Sequence, residues 1–212
     1  MPLIGSCPAW TGDIPQALIP QFKTLVGQVH QDILRFAARQ LITSDELKQW
    51  HSQLFSAFVP LDYYAGNYRG VERTKPCLAM NVSVGPNPGL HYILVRSYLS
   101  GSLDSFCDQC SLLEIRWPHL TPPDRAILLA TITANLVGSF ILVHPFINGN
   151  GRVSRLLWRW TLMRFGVPPQ CCTHPRPNPP YSQVMAAAMH GDYRPLAMYV
   201  LQHLAQHPPA QN

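Results

Sequence analysis

Charge is what this 212-residue chain has least of, since Asp, Glu, Lys and Arg together make up 13% of it. Eleven residues are acidic, and the glutamates number three: Glu46, Glu72 and Glu114. No run of lysine or arginine occurs, and no basic stripe is interleaved with aromatics. The net charge of +5 and a pI near 9.0 therefore imply no nucleic-acid partner, only a modest preference for anions. No apolar stretch reaches about 18 residues without a polar break, the length a membrane-spanning helix needs. Residues 126–143 come closest, and Thr131, Thr133, Asn135 and Ser139 interrupt them, so a core helix is expected and no membrane. Residues 1–12 lack the basic start and long apolar centre of a secretory signal. Nothing repeats internally.

Apolar residues, by contrast, make up 47% of the chain, enough at this length for one domain with a real core. The 21 prolines gather in loops and towards the ends. Six cysteines are present: Cys7, Cys77, Cys107, Cys110, Cys171 and Cys172. Cys107 and Cys110 form a C-x-x-C pair, and Cys171, Cys172 and His174 form a second group, a combination that raises zinc. The first pair falls in an expected helix and the second group lacks the usual pair spacing. Buried or free thiols in a reducing cytoplasm are the expectation for all six.

Taken in order, residues 13–42 carry apolar side chains at helical spacing, among them Leu18, Phe22, Leu25, Val29 and Ile33. Thr43-Ser44-Asp45-Glu46 has the form of a capping box that opens a second helix through about Phe58. Its buried face is Leu47, Trp50, Leu54, Phe55 and Phe58. Residues 1–60 are thus expected as a helical extension packed on a core domain of 61–205, with 206–212 a tail. Residues 76–84 and 90–96 read as two strands around a Gly/Pro turn at 85–89, a loose hairpin. A helix follows, ending near Ile115, and Thr121-Pro122-Pro123-Asp124 is a strong start for another through Val143. The next helix spans Gly151 to about Phe165, where Gly166 and Pro168 stop it. A Pro-rich loop over 171–180 leads to two closing helices, 181–190 and 194–204. The fold class is mainly α, with a small β-hairpin.

The chemistry concentrates at residues 144–155, His-Pro-Phe-Ile-Asn-Gly-Asn-Gly-Arg-Val-Ser-Arg. A histidine stands at the entrance of a Gly/Asn loop, and a helix begins at its exit. The first N–H groups of a helix have no intrahelical partner, and its dipole favours negative charge. Arg152 and Arg155 lie three apart, on one face of the first helical turn. Two guanidiniums beside such a loop suit a polyphosphate.

This stretch resembles the signature of the Fic family, His-Pro-Phe-x-(Asp/Glu)-Gly-Asn-Gly-Arg-x-x-Arg, with a departure at Asn148. Tyr68-Arg69 with its preceding glycine, and residues 188–196, resemble flanking segments of the same family, so the likeness runs from about Tyr63 to His203. It implies a helical domain whose hairpin is a flap that aligns a target protein by strand pairing. It implies that His144 takes a proton from a Ser, Thr or Tyr hydroxyl of that target, which then attacks the α-phosphate of ATP. Gly149, Asn150 and Gly151 would donate to the phosphates, and Arg152 and Arg155 would hold the β/γ portion. Phe146 would point into the core. The phosphorylating Doc branch has lysine where this chain has Gly151, which argues for AMP transfer.

Asn148 stands where the family has an acidic magnesium ligand. An amide oxygen brings no charge, so Mg²⁺ should be weakly held, largely by ATP itself. Three outcomes stay open: a metal-weak adenylyltransferase, a transferase with another nucleotide donor, or a module that only binds nucleotide or partner. Many relatives also carry an inhibitory helix, (Ser/Thr)-x-x-x-Glu-(Gly/Asn), whose Glu pairs with a signature arginine. None of the three glutamates here fits that pattern. A separate antitoxin-like inhibitor, or Asn148 itself, would then restrain activity. A cytoplasmic location is expected, with delivery into another cell as the alternative.

Overall fold

The computed structural model describes residues 7–168 and 179–206. Among these, seven α-helices run α1 (Ile19–Phe36), α2 (Ser44–Phe55), α3 (Val95–Arg116), α4 (Pro122–Val143), α5 (Asn150–Arg164), α6 (Tyr181–Ala188) and α7 (Arg194–Gln206). Strands β1 (Ser83–Val84) and β2 (Asn87–Pro88) form one antiparallel pair. The fold is mainly α with a small hairpin, as expected. The groups around Cys171, Cys172 and His174, the Pro-rich loop and the tail lie largely outside the described residues.

α4 is the central element, packed against α3, α5, α6 and α7. Its composition explains this place: its charged residues are Asp124 and Arg125 in the first turn, none follows them, and eleven of its residues are buried. By length and hydropathy it would also suit a membrane, yet it is buried along most of its length inside the bundle. Thr121 caps it by accepting from Asp124 N at 3.4 Å, with Pro122 in the first turn. Gly138 admits the ring of Tyr193, which a methyl there would meet at 2.5 Å. α5 is nearly as deep, with Val153, Leu156, Leu157, Trp158, Trp160 and Leu162 buried. The α4–α5 corner is therefore rigid on both sides, and the loop between them inherits that rigidity.

The capping box at Thr43 is complete: its hydroxyl accepts from Glu46 N, and Glu46 Oε2 accepts from Thr43 N at 2.8 Å. α2 ends at Phe55, a turn earlier than the apolar pattern implies.

Two expectations need correction. Residues 76–84 and 90–96 are not extended strands: each strand has two residues, 76–78 and 92–94 are single 3₁₀ turns, and α3 already begins at Val95. The backbone explains it, because the groups that would pair a longer ladder bond elsewhere. Leu90 N donates to Leu142 O, and the carbonyls of Met80 and Leu90 accept from the Arg69 side chain. The second correction concerns the thiols. Cys7 and Cys77 form a disulfide across a separation of 70 residues, whereas Cys107 and Cys110 on α3 are free.

Candidate active site

His144 closes α4 in the left-handed conformation, at φ 49° and ψ 60°, where a non-glycine residue needs support. Arg69 supplies it. Its buried guanidinium donates to the carbonyls of His144 (2.8 Å) and Val143 (2.9 Å), and its own N–H donates to Pro145 O (2.7 Å). The other two bonds of the fork go to Met80 O (3.0 Å) and Leu90 O (2.9 Å), the two ends of the flap. One side chain thus joins the histidine to the hairpin above it. A cation also suits this spot, because the carbonyl end of α4 carries partial negative charge.

The imidazole of His144 is buried, 8% exposed. Its Nδ1 lies 2.6 Å from Ile141 O. A carbonyl only accepts, so Nδ1 carries the proton and Nε2 keeps its lone pair. Burial holds the ring's pKa below its ordinary value, opposed by the Ile141 bond and aided by the Arg69 charge. A neutral base at neutral pH is the result.

The loop beyond it is built from its own side chains. Asn150 closes it in both directions: Oδ1 accepts from Phe146 N and Nδ2 donates to Phe146 O, each at 2.9 Å. Gly149 caps α5 at φ 79°, and a Cβ there would meet Phe55 at 2.5 Å. Phe146 is fully buried, as expected. It stacks on His51 of α2 at 3.8 Å between centroids and 12° between planes.

His51 is the residue that sequence reasoning passes over. Its Nε2 donates to Asn148 O and its Nδ1 accepts from Gly66 N, both at 2.9 Å, so the neutral ring is matched at both nitrogens. Burial pushes its pKa down to about 4. A signal was available: Leu47, Trp50, His51, Leu54 and Phe55 share one helical face, so a histidine stands where the period calls for an apolar side chain.

A cavity of about 350 Å³ lies between the loop, the flap and α6, within the usual range for a small-molecule site. His144, Asn148, Asn150, Gly151 and Arg155 all line it, together with Ser154 and Tyr181. Val82 and Val84 of the flap and Met185 and Met189 beyond give it apolar wall, beside the polar Ser83, Asn87 and Ser182. Tyr181 hydrogen-bonds Ser154 and Arg155 at its floor. Five of the seven expected site residues therefore meet at one space. Gly149 and Arg152 do not line it. Arg152 Nη1 donates to Gly12 O at 3.2 Å, and its guanidinium lies over the rings of Phe22 and Phe55. A larger cavity, about 540 Å³ beside Trp50 and Trp160, contains none of the loop residues and no arrangement for chemistry.

The three glutamates sit elsewhere: Glu46 in its capping box, Glu72 with Lys75 and Arg96, and Glu114 with Arg164. For a divalent cation the site is poor. Asn148 Oδ1 accepts from Gly149 N at 2.7 Å and Nδ2 donates to Trp10 O at 2.9 Å, so the amide is already committed. Among the described residues no group of three or more His, Cys, Asp and Glu could hold a metal. These residues do not fit a protein-held Mg²⁺.

A neutral histidine, the first turn of α5 and an arginine line one cavity, an arrangement whose chemistry suits an anionic ligand. Residues 41–162, more than half of the chain, match the model of the Fic/DOC family, and the chain belongs to that family. It is similar to the protein adenylyltransferase Fic of Drosophila grimshawi, 30% identical over 119 residues, which is 55% of this chain and 24% of that one. The enzyme of the same name from Culex quinquefasciatus is 29% identical over an equal length. The match thus spans about a quarter of the length of these relatives. Two solved structures share the fold. One is the BepC protein of Bartonella tribocorum, a VirB-translocated effector with bound AMPPNP (TM-score 0.56, 15% identity, 93% of this chain and 90% of that one). The other is a Fic-domain-containing signalling protein of Bacteroides thetaiotaomicron (TM-score 0.59, 17% identity, 91% and 73%).

Two outcomes follow from this geometry. Arg69→Met leaves four carbonyls without their donor, and a melt should show a loss on the order of 3 kcal/mol or more; Arg69→Lys should recover only part of it, since an ammonium lacks the fork. Burial also holds His30, like His51, at about 4 against an ordinary 6.5, so the unfolded chain binds protons that the folded one refuses. Stability is therefore full above pH 6.5 and falls as the pH drops towards 4. In His51→Gln the melting temperature should fall less steeply over that window than in the parent.

Proposed function

We propose that the protein is a nucleotidyltransferase that moves AMP from ATP to a Ser, Thr or Tyr hydroxyl of another protein. The observation that carries this reading is the 2.6 Å contact of His144 Nδ1 with Ile141 O, which assigns the proton to Nδ1 and leaves Nε2 as the acceptor beside the cavity that His144 lines. There Nε2 accepts the proton of the target hydroxyl. The hydroxyl oxygen forms its bond to the α-phosphorus as the bond from that phosphorus to the bridging oxygen breaks, and pyrophosphate leaves. The first-turn N–H groups of Asn150 and Gly151 have no intrahelical acceptors and meet the phosphates, with Arg155 beside them. Gly149 contributes close backbone packing rather than a phosphate contact, because its N–H is held by Asn148 Oδ1. The apolar walls from the flap and α6 suit the base and ribose. The relatives named protein adenylyltransferase support the same reaction class, and the AMPPNP-bound fold neighbour supports a nucleoside triphosphate as the donor.

The target reaches the site along the flap, whose short strands leave Val84 exposed and a backbone edge for pairing. A second reading, a module that binds nucleotide or partner without turnover, draws on Asn148: its neutral amide is spent on Trp10 and Gly149.

Incubation with ATP and Mg²⁺ should add the mass of AMP to the protein itself or to a target, and His144→Ala should abolish the gain. Asn148→Asp restores a carboxylate and should tighten calorimetric binding of Mg·ATP about tenfold, equivalent to about 1.4 kcal/mol. Nucleotide binding with no mass gain in either the parent or Asn148→Asp would favour the second reading.

A further inference from the structure

Residues 7–12 cross over the signature loop from outside it. Trp10 O accepts from Asn148 Nδ2 at 2.9 Å, and Gly12 O accepts from Arg152 Nη1 at 3.2 Å. Gly12 is buried so tightly that a Cβ there would meet Asn148 at 2.5 Å. Pro8 O accepts from the Tyr64 hydroxyl at 3.1 Å, and Trp10 packs edge-on against His51 and Phe55. Cys7 is bonded to Cys77, which lies in the small apolar cluster of Tyr64 and Leu78 at the root of the flap segment. The two signature side chains taken by this segment are those expected nearest the metal and the β/γ phosphates. The cavity around His144 and Arg155 stays open.

We propose that residues 7–12 are a reducible strap, which closes the triphosphate end of the site while the Cys7–Cys77 bond is intact and releases it on reduction by a dithiol. This rests on the reading of the site as a nucleotide site. A nucleoside monophosphate fits the open part of the cavity. A triphosphate needs Arg152, and Gly12 O occupies one of its donors. Reduction transfers two electrons and two protons from the dithiol: the Sγ–Sγ bond breaks, Cys7 and Cys77 become thiols, and the dithiol becomes a disulfide. Untied, the strap keeps a few hydrogen bonds and ring contacts against the entropy of an extended segment with no secondary structure. One buried polar atom also argues against permanent closure, because Trp10 Nε1 has no hydrogen-bond partner among the described residues. A backbone carbonyl, not a glutamate, is the group set against the arginine. Passage of the chain from an oxidising to a reducing compartment would open the site on arrival.

The test uses the full chain and α,β-methylene-ATP, whose Pα–C bond cannot be cleaved. Calorimetry compares it with AMP before and after dithiothreitol, and in oxidised Gly12→Ala, whose methyl forces the strap off Asn148. Reduction should tighten triphosphate binding about tenfold and leave AMP within about twofold. Gly12→Ala should show the same gain without reductant. Equal triphosphate affinity in the oxidised and reduced parent, or an AMP gain as large as the triphosphate gain, would overturn the strap while leaving the nucleotide site standing. Absence of binding by ATP, GTP and UTP in every form would overturn the nucleotide reading and the strap with it.

Discussion

The guanidinium of Arg69 is the contact on which the rest of the site depends. It is buried, and it has carbonyls rather than a carboxylate around it: Val143 and His144 at the end of α4, Met80 and Leu90 at the feet of the flap. Burial lowers its pKa to about 10, still well above neutral, so the charge persists. Carbonyl dipoles and the negative end of α4 compensate for the lost water. Through this one group the left-handed backbone of His144 and the feet of the flap become a single arrangement, and its charge adds to the burial that depresses the basicity of His144. A point charge of lysine type could reach one or two of these oxygens but not all four.

Beneath that arrangement, the loop from Phe146 to Gly149 and the start of α5 are held by two unlike supports. α2 presses on the loop with His51, whose two nitrogens and ring face are all matched. Residues 10–12 hold both through Asn148 and Arg152. The first support is embedded in the core and belongs to the fold. The second is an extended segment fastened by a covalent bond that chemistry can break. The difference between them separates a scaffold from a cover.

Much of this is legible in the residues alone, and the reason is local punctuation. Thr121, Pro122 and Asp124 start α4 where they stand, and Gly166 ends the turn after α5, so both helices and the loop between them follow from the chain. The capping box of Thr43 and Glu46 starts α2 in the same way. The flap is less legible. Leu90 to Val95 has the composition of a strand, but its hydrogen bonds go to Leu142 and to a side chain 21 residues upstream, which no period records. The strap is not legible at all: its contacts span 138 and 140 residues to Asn148 and Arg152, and cysteine pairing cannot be deduced from spacing. His51 lies between these cases. Its place on an apolar face is visible, while its partners at Gly66 and Asn148 come from other parts of the chain.

The account turns on which nitrogen of His144 carries the proton. Long-range ¹H–¹⁵N spectra of the ¹⁵N-histidine-labelled protein, followed through a pH titration, read this directly. The account predicts a neutral ring protonated at Nδ1, with Nε2 unprotonated down to below pH 6.5, since burial lowers its affinity for the second proton. An Nε2–H tautomer, or a ring that becomes charged above pH 6.5, would leave the cavity without its base and contradict the account.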